Sequence, residues 1–355
     1  MDARSLPDFK VLPLSTIDLD SDLNPASPFR NPITLKASSS WTYCGPLLPL
    51  DPNSLPYSFD TWAEATVNGG LVGPLLSFLK FVHHFLAINN LSHYWITIRA
   101  ERGSHEYDTP RWHTDDLFFS PSPSPSPSQS QSQSQLPRPI SISRRSHRTS
   151  LSLSQFSFHN AIRLPQRGHS MRRKHLRNKS SGAIVQEKEQ IPSGIQVITT
   201  SPNPPNWKLI TTLLGPGTIF IPHETSNFAR AINSKAKRKA RNQNAEHTCL
   251  SVRCIGCATA AESVRAHLTT ELEYSDTIQA QPGECVFVRV GEDEGAVHSE
   301  PMSHGDRIFV NVVPGHEADL KSLMSKWGMD YPRAWCIGLS SQVMERMHCK
   351  NFGGL

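Results

Sequence analysis

Apolar positions in this chain come in short groups whose spacing changes along its length. Leu75, Leu79, Val82 and Leu86 recur at intervals of three and four, which predicts an amphipathic helix with one face on a core. An earlier helix is predicted to run through Trp62, with Ser58 or Asp60 as its cap. Trp95-Ile-Thr-Ile-Arg99 is aromatic and β-branched, like a strand. The same signature returns in Trp207-Lys-Leu-Ile-Thr-Thr-Leu-Leu214 and Thr218-Ile-Phe-Ile221, and Gly215-Pro-Gly217 between them predicts a hairpin. Cys249 to Val252, Gln281 to Arg289 and Arg307 to Val313 read as further short strands bounded by Gly and Pro. Leu320, Leu323, Met324 and Trp327 then form one helical face, which Gly328 is placed to end. Many short strands with flanking helices predict a mainly β protein, a sandwich or a barrel.

Where the periodicity is missing, composition takes over. Residues 1–57 hold many Pro, Ser, Asp and Asn and read as an irregular arm. Residues 58–119 carry the helix and first strands of the folded domain, 204–315 its remainder, and 316–355 a helical end. Between the two halves, residues 120–203 form a Ser-Pro, Gln-Ser and Ser/Arg-rich insert. It has too little apolar surface to offset the entropy of ordering it, so it is expected to be disordered. Residues 229–247 read as a second polar, basic loop or helix.

Charge follows this division. The whole chain carries +5, but residues 120–186 alone contain eleven Lys and Arg and no acid, so everything else sums to −6. A nucleic-acid partner is therefore expected only through the basic insert, whose blander reading is a solvated linker. No apolar run is long enough to cross a membrane. Asp2, Arg4 and Asp8 at the start fit neither a secretory signal nor a transit peptide, and seven cysteines are no disulfide framework. A cytoplasmic or nuclear protein with reduced thiols is the expectation. His247, Cys249, Cys254 and Cys257 offer soft zinc ligands but lack a second spaced pair, so buried thiols are the better reading. Neither a glycine-rich phosphate loop nor a Gly-x-Ser-x-Gly elbow is present.

The candidate chemistry lies in three features met in order: His113-Thr-Asp115, His298, and Arg307 nine positions beyond. His and Asp two apart on an extended segment point the same way and can reach one ion. Two neutral imidazoles and a carboxylate on one face of an octahedral Fe(II) leave three positions open. In a strand starting at Arg307, that residue shares a face with Phe309 and Asn311, while Ile308, Val310 and Val312 face another layer. The ordered set resembles the Fe(II)/2-oxoglutarate-dependent oxygenases of the cupin-like double-stranded β-helix (jelly roll) class, over Trp95 to Pro314 with the insert removed. It is also similar to uncharacterised microbial proteins with an aromatic-His-x-Asp, a Gly-Pro-Gly-Thr turn and a Val-His-Ser segment. The resemblance implies iron held by His113, Asp115 and His298, and 2-oxoglutarate held by Arg307, with Asn311 or Thr212 as a second contact. It further implies oxidation of an organic substrate coupled to decarboxylation of 2-oxoglutarate to succinate.

Sixteen His and fifteen Asp in 355 residues give about 0.7 His-x-Asp pairs by chance, and two occur, so the pair alone says little. The combination says more, because setting the insert aside brings His113 and His298 to a spacing ordinary for that family. His304-Gly-Asp306 is a rival pair, and Asp116 a rival to Asp115. Trp112, Phe118 and Phe119 read as core more readily than as substrate contacts. Two other functions stay open: a catalytically inactive jelly-roll binding protein, and a regulatory or nucleic-acid-associated protein acting through its insert.

Overall fold

The computed structural model describes residues 8–14, 32–104, 108–119, 206–243, 254–291, 294–302 and 304–345. In chain order these form β1 (Phe9–Pro13), β2 (Thr34–Leu35), β3 (Ser39–Pro46), α1 (Tyr57–Thr66), β4 (Val67–Asn68), α2 (Val72–Ile88), β5 (His93–Glu101) and β6 (Arg111–His113). After residues 120–205 come β7 (Trp207–Leu214), β8 (Ile219–Phe220), α3 (His223–Gln243), α4 (Ile255–Glu271), β9 (Ile278–Gln279), β10 (Glu284–Arg289), β11 (His298–Glu300), β12 (Arg307–Gly315), α5 (Glu317–Lys326) and β13 (Arg333–Ile337). The expected disordered insert, the strand at 249–252 and two of the four soft zinc ligands, His247 and Cys249, lie outside the described residues.

Two antiparallel sheets organise the fold. The larger has seven strands in the order β1-β10-β7-β12-β5-β3-β13, and the smaller has four, β6-β11-β8-β9. Alternation along the strands divides the large sheet into two faces. Ile96, Ile98, Leu209, Phe287, Ile308, Val310 and Val312 pack on Phe78, Leu79, Val82 and Leu86 of α2 and on Phe59 and Trp62 of α1. The opposite face carries Thr97, Arg99, Lys208, Phe309 and Asn311, which meet residues of the small sheet around a pocket. Farther along that face, α5 covers Cys44, Trp95 and Val313. The small sheet is covered on its outer side by α3 and α4, through Trp112, Ile221, Ala229, Ile232, Ala236, Leu268 and Val297. The layers are thus helices, large sheet, small sheet, helices.

Several expectations hold. The predicted helices through Trp62 and Leu75–Leu86 are α1 and α2, and the predicted strands at 95, 281 and 307 are β5, β10 and β12. The C-terminal helix is α5, with Gly328 just past its end at φ +66. Trp112, Phe118 and Phe119 sit in core clusters.

Others are corrected. In the described residues of the arm at 1–57, irregularity gives way to strands, since β1 borders β10 and β3 lies between β5 and β13. Its polar residues hid the strand: buried Ser39 accepts the Trp62 indole N–H at 2.8 Å and bonds Thr66 at 2.6 Å, and Thr42 donates to Thr97 at 3.3 Å. Pro56, rather than Ser58 or Asp60, is the cap of α1. Trp207–Leu214 and Ile219–Phe220 are no hairpin, because they belong to different sheets. Gly215, at φ +80, turns the chain across between them, and a Cβ there would fall 2.3 Å from the Asp306 carbonyl oxygen. Of the loop or helix expected at 229–247, the helix is what forms, to Gln243, since Ala229, Ile232, Ala236 and Ala240 recur at helical spacing among the bases. Helix α4 gave little periodic signal, for it buries only Val264, Arg265 and Leu268. Beyond α5, the C-terminal segment adds the strand β13.

Candidate metal centre

His113 and His298 are direct partners across the antiparallel β6–β11 pair. Side chains opposite one another on paired strands share a face, and these two rings lie 4.4 Å apart between centroids. Asp115, two positions past His113, falls on the same side, with its carboxylate 3.4 Å from His298 Nε2. One ligand atom from each of the three residues lies within 4.8 Å of the others, and among the described residues this is the one group of three such side chains. The histidines were 185 positions apart in sequence and are neighbours in space.

Each imidazole is oriented in the same way. His113 Nδ1 lies 2.9 Å from the Arg111 carbonyl and His298 Nδ1 2.9 Å from that of Ala296. A carbonyl only accepts, so Nδ1 carries the proton and the Nε2 lone pair is left for the centre. Burial pushes the His298 imidazole down to about 4, and Lys208 adds to the fall. Burial, then His298, takes His113 well below its ordinary value. Burial alone would raise the Asp115 carboxyl, but Lys208, His298 and His113 together outweigh it and hold the group well below the usual carboxylate range. Near neutral pH the three are two neutral imidazoles and a carboxylate, the protonation states a divalent metal requires.

The loop carrying Asp115 is clamped. Thr114 accepts hydrogen bonds from Asn233 at 2.9 Å and Lys237 at 3.0 Å, both on α3, and the Asp115 carbonyl accepts from the Gly291 N–H at 2.8 Å. Asp116 points the other way and pairs with Lys237 at 2.8 Å, so it is not a ligand. The rival His304-Gly-Asp306 is structural: Asp306 accepts from the backbone N–H groups of Gly103 and Leu35, and His304 is exposed.

Three charged residues that sequence reasoning passed over complete the site. Lys208, on β7, is buried and pairs with Asp115 while its Nζ lies 3.1 Å from His298 Nε2. A lysine at a buried strand position is rare unless paired, and Lys208 is the single charge in Trp207–Leu214; that was the available signal. Arg99 donates to Glu300 at 2.5 Å, and Glu300 and Glu101 outweigh burial to keep that arginine charged. Burial would raise Glu300, but Arg99 and Arg307 hold it far below its ordinary value.

Arg307 is buried on the expected face, and Ile308, Val310 and Val312 pack on the helical layer as the alternation implied. Its guanidinium donates to the Pro216 carbonyl at 3.0 Å and to Thr218 at 3.4 Å and lies over Phe309, so its fork grips the Gly-Pro-Gly-Thr turn. Burial lowers it to about 10. Asn311 lines the pocket and its buried Oδ1 has no partner, whereas Thr212 is not a lining residue. The pocket lies between the sheets, with the triad and Glu300 on the small-sheet side and Thr97, Arg99, Lys208, Phe309 and Asn311 on the large-sheet side.

Comparison with protein-family models, curated proteins and solved structures finds no match to the chain. The buried His–Asp–His triad can hold a metal ion on its own geometry. No helix among the described residues is long and apolar enough to cross a membrane.

Proposed function

We propose that the chain is a non-haem Fe(II)/2-oxoglutarate-dependent oxygenase that oxidises an organic substrate in the pocket between its sheets. The observation that carries this reading is the convergence of His113, Asp115 and His298 in metal-ready protonation states. The donor set fits the ion: two imidazoles with Nδ1 occupied and one carboxylate form the facial arrangement that suits Fe(II). Asp115 Oδ1 is buried without a hydrogen bond, while Oδ2 is held by Lys208, so one oxygen of the carboxylate is left for a cation. The facing antiparallel sheets with the site between them are the frame a double-stranded β-helix requires. Iron, when bound, would couple O₂ to decarboxylation of 2-oxoglutarate and oxidation of the substrate.

The chain's own residues would position the reactants. Peptide carbonyls fix both imidazoles, and Asn233 and Lys237 fix the Asp115 loop. Arg307 holds the turn that carries Thr218 and does not itself line the pocket, so a role in gripping a co-substrate carboxylate would require that turn to release it. Lys208, paired with Asp115 here, would need another anion if Asp115 served as a metal ligand, and a co-substrate carboxylate would meet that need. Asn311 Oδ1 is an acceptor for a donor group on the ligand.

One observation favours a second reading, a metal-free jelly-roll binding protein: Lys208 already neutralises Asp115 without an ion. Anaerobic reconstitution with Fe(II), then 2-oxoglutarate and O₂ with succinate measured by mass spectrometry, separates the two. Succinate from the wild type and none from His298→Ala is the result expected. Iron uptake without succinate would reject the oxygenase, and no iron uptake would establish the second reading.

A further inference from the structure

The outer side of α3 is strongly basic. From Thr225 to Gln243 it carries Arg230, Lys235, Lys237, Arg238, Lys239 and Arg241 and no acid. Arg230 is engaged by Asp8 and Lys237 by Asp116. Lys235, Arg238, Lys239 and Arg241 are exposed. Phe228 is 59% exposed on the same helix. It precedes Lys235 by seven residues and Lys239 by eleven, close to whole numbers of helical turns, so the aromatic ring and the two ammonium groups form one stripe about 16 Å long.

We infer that this stripe binds single-stranded nucleic acid. Phosphates are matched by exposed Lys and Arg in a row, and an exposed aromatic ring at the end of that row offers a stacking surface to an unpaired base. An anionic membrane fits less well. A helix lying on lipid must bury an apolar face in it, and the apolar face of α3, through Ala229, Ile232, Ala236 and Ala240, is already consumed on the small sheet. The helix is also tied to the pocket, because Lys237 reaches Asp116 beside the ligand Asp115, which places a bound strand on the layer that covers the metal centre. The inference needs no metal and stands apart from the proposed reaction.

The test uses the full chain and fluorescence anisotropy with a labelled oligothymidylate over a range of salt. The combined change Lys235→Glu, Arg238→Glu and Lys239→Glu should weaken binding by more than about tenfold and flatten its salt dependence. Phe228→Ala should weaken single-strand binding by about fivefold and leave duplex binding unchanged. An equal charge reversal in the acid-free tract, Arg172→Glu, Arg173→Glu and Lys174→Glu, is the control and should cost less. The inference is overturned if the helix variants bind like the wild type while retaining its circular dichroism, if the control loses as much as the helix variant with no effect of Phe228→Ala, or if phosphatidylserine vesicles are bound in preference to the oligonucleotide. Should the triple variant misfold, Lys235→Gln with Lys239→Gln replaces it, with a loss of about threefold expected and none contradictory.

Discussion

The two faces of the seven-stranded sheet come from the same strands and do opposite work. On the helical side, Ile96, Ile98, Leu209, Phe287, Ile308, Val310 and Val312 meet α1 and α2 in a dry core. One residue along each strand, Thr97, Arg99, Lys208, Phe309 and Asn311 turn toward the small sheet and a polar pocket. Burial is less complete on the polar side, where Thr97, Arg99 and Phe309 are half-buried, yet Lys208 is only 4% exposed and Asn311 5%. Chemistry separates them: the first face gains from removing apolar area from water, while the second holds charges that persist only because each has a partner. Stability and site are thus encoded on alternate residues.

Removing one member from each face breaks the comparison in different ways. Phe287 packs its ring 4.7 Å from Phe85 and 5.8 Å from Phe81, so Phe287→Ala should cost about 4 kcal/mol in denaturant unfolding. The metal affinity of the folded fraction should be unchanged. Lys208→Met leaves Asp115 buried and unpaired and should cost the metal-free protein about 3 kcal/mol. The same change should tighten metal binding, read by calorimetry, because a competing positive charge is gone. A core residue cannot show that opposition of sign. Thr114→Val removes the Asn233 and Lys237 hydrogen bonds to Thr114 and leaves the Asp116–Lys237 pair to tie the loop to α3, so affinity for the metal should fall by about tenfold with a stability loss of about 2 kcal/mol.

The smallest effect is a pH dependence on the dry face. Burial holds the His83 imidazole down at about 4, packed near Tyr94. A depressed histidine contributes stability that is complete above its unfolded value of 6.5 and is lost as pH falls through the folded one. His83→Leu should therefore flatten the fall in melting temperature between these two values, by an amount equivalent to about 1 kcal/mol after screening at a partly exposed ring.

How much of this the sequence disclosed depends on the partner each residue found. Strands with continuous β-branched content, such as β5, β10 and β12, were legible because burial alone explains them. β3 was not, since its Ser and Thr are satisfied by Thr66, Trp62 and Thr97, residues that only the fold brings near. The turn at Gly215 was visible as a turn, but which sheet the chain enters next depends on pairing with β11, far off in sequence. His113, Asp115 and His298 could be named through the family resemblance that their order and spacing carry. Lys208 could not, because its meaning lies in a carboxylate 93 positions earlier and a histidine 90 later. Arg307 shows the converse: its face was legible and its occupation by Pro216 and Thr218 was not.

Everything on the polar face turns on whether the triad takes up an ion. Anaerobic titration of the purified chain with Fe(II), followed by calorimetry, tests this most directly: the expected outcome is one ion per chain for the wild type and none for His113→Ala or His298→Ala. A wild type that takes up no ion, or variants that retain it, would contradict the account.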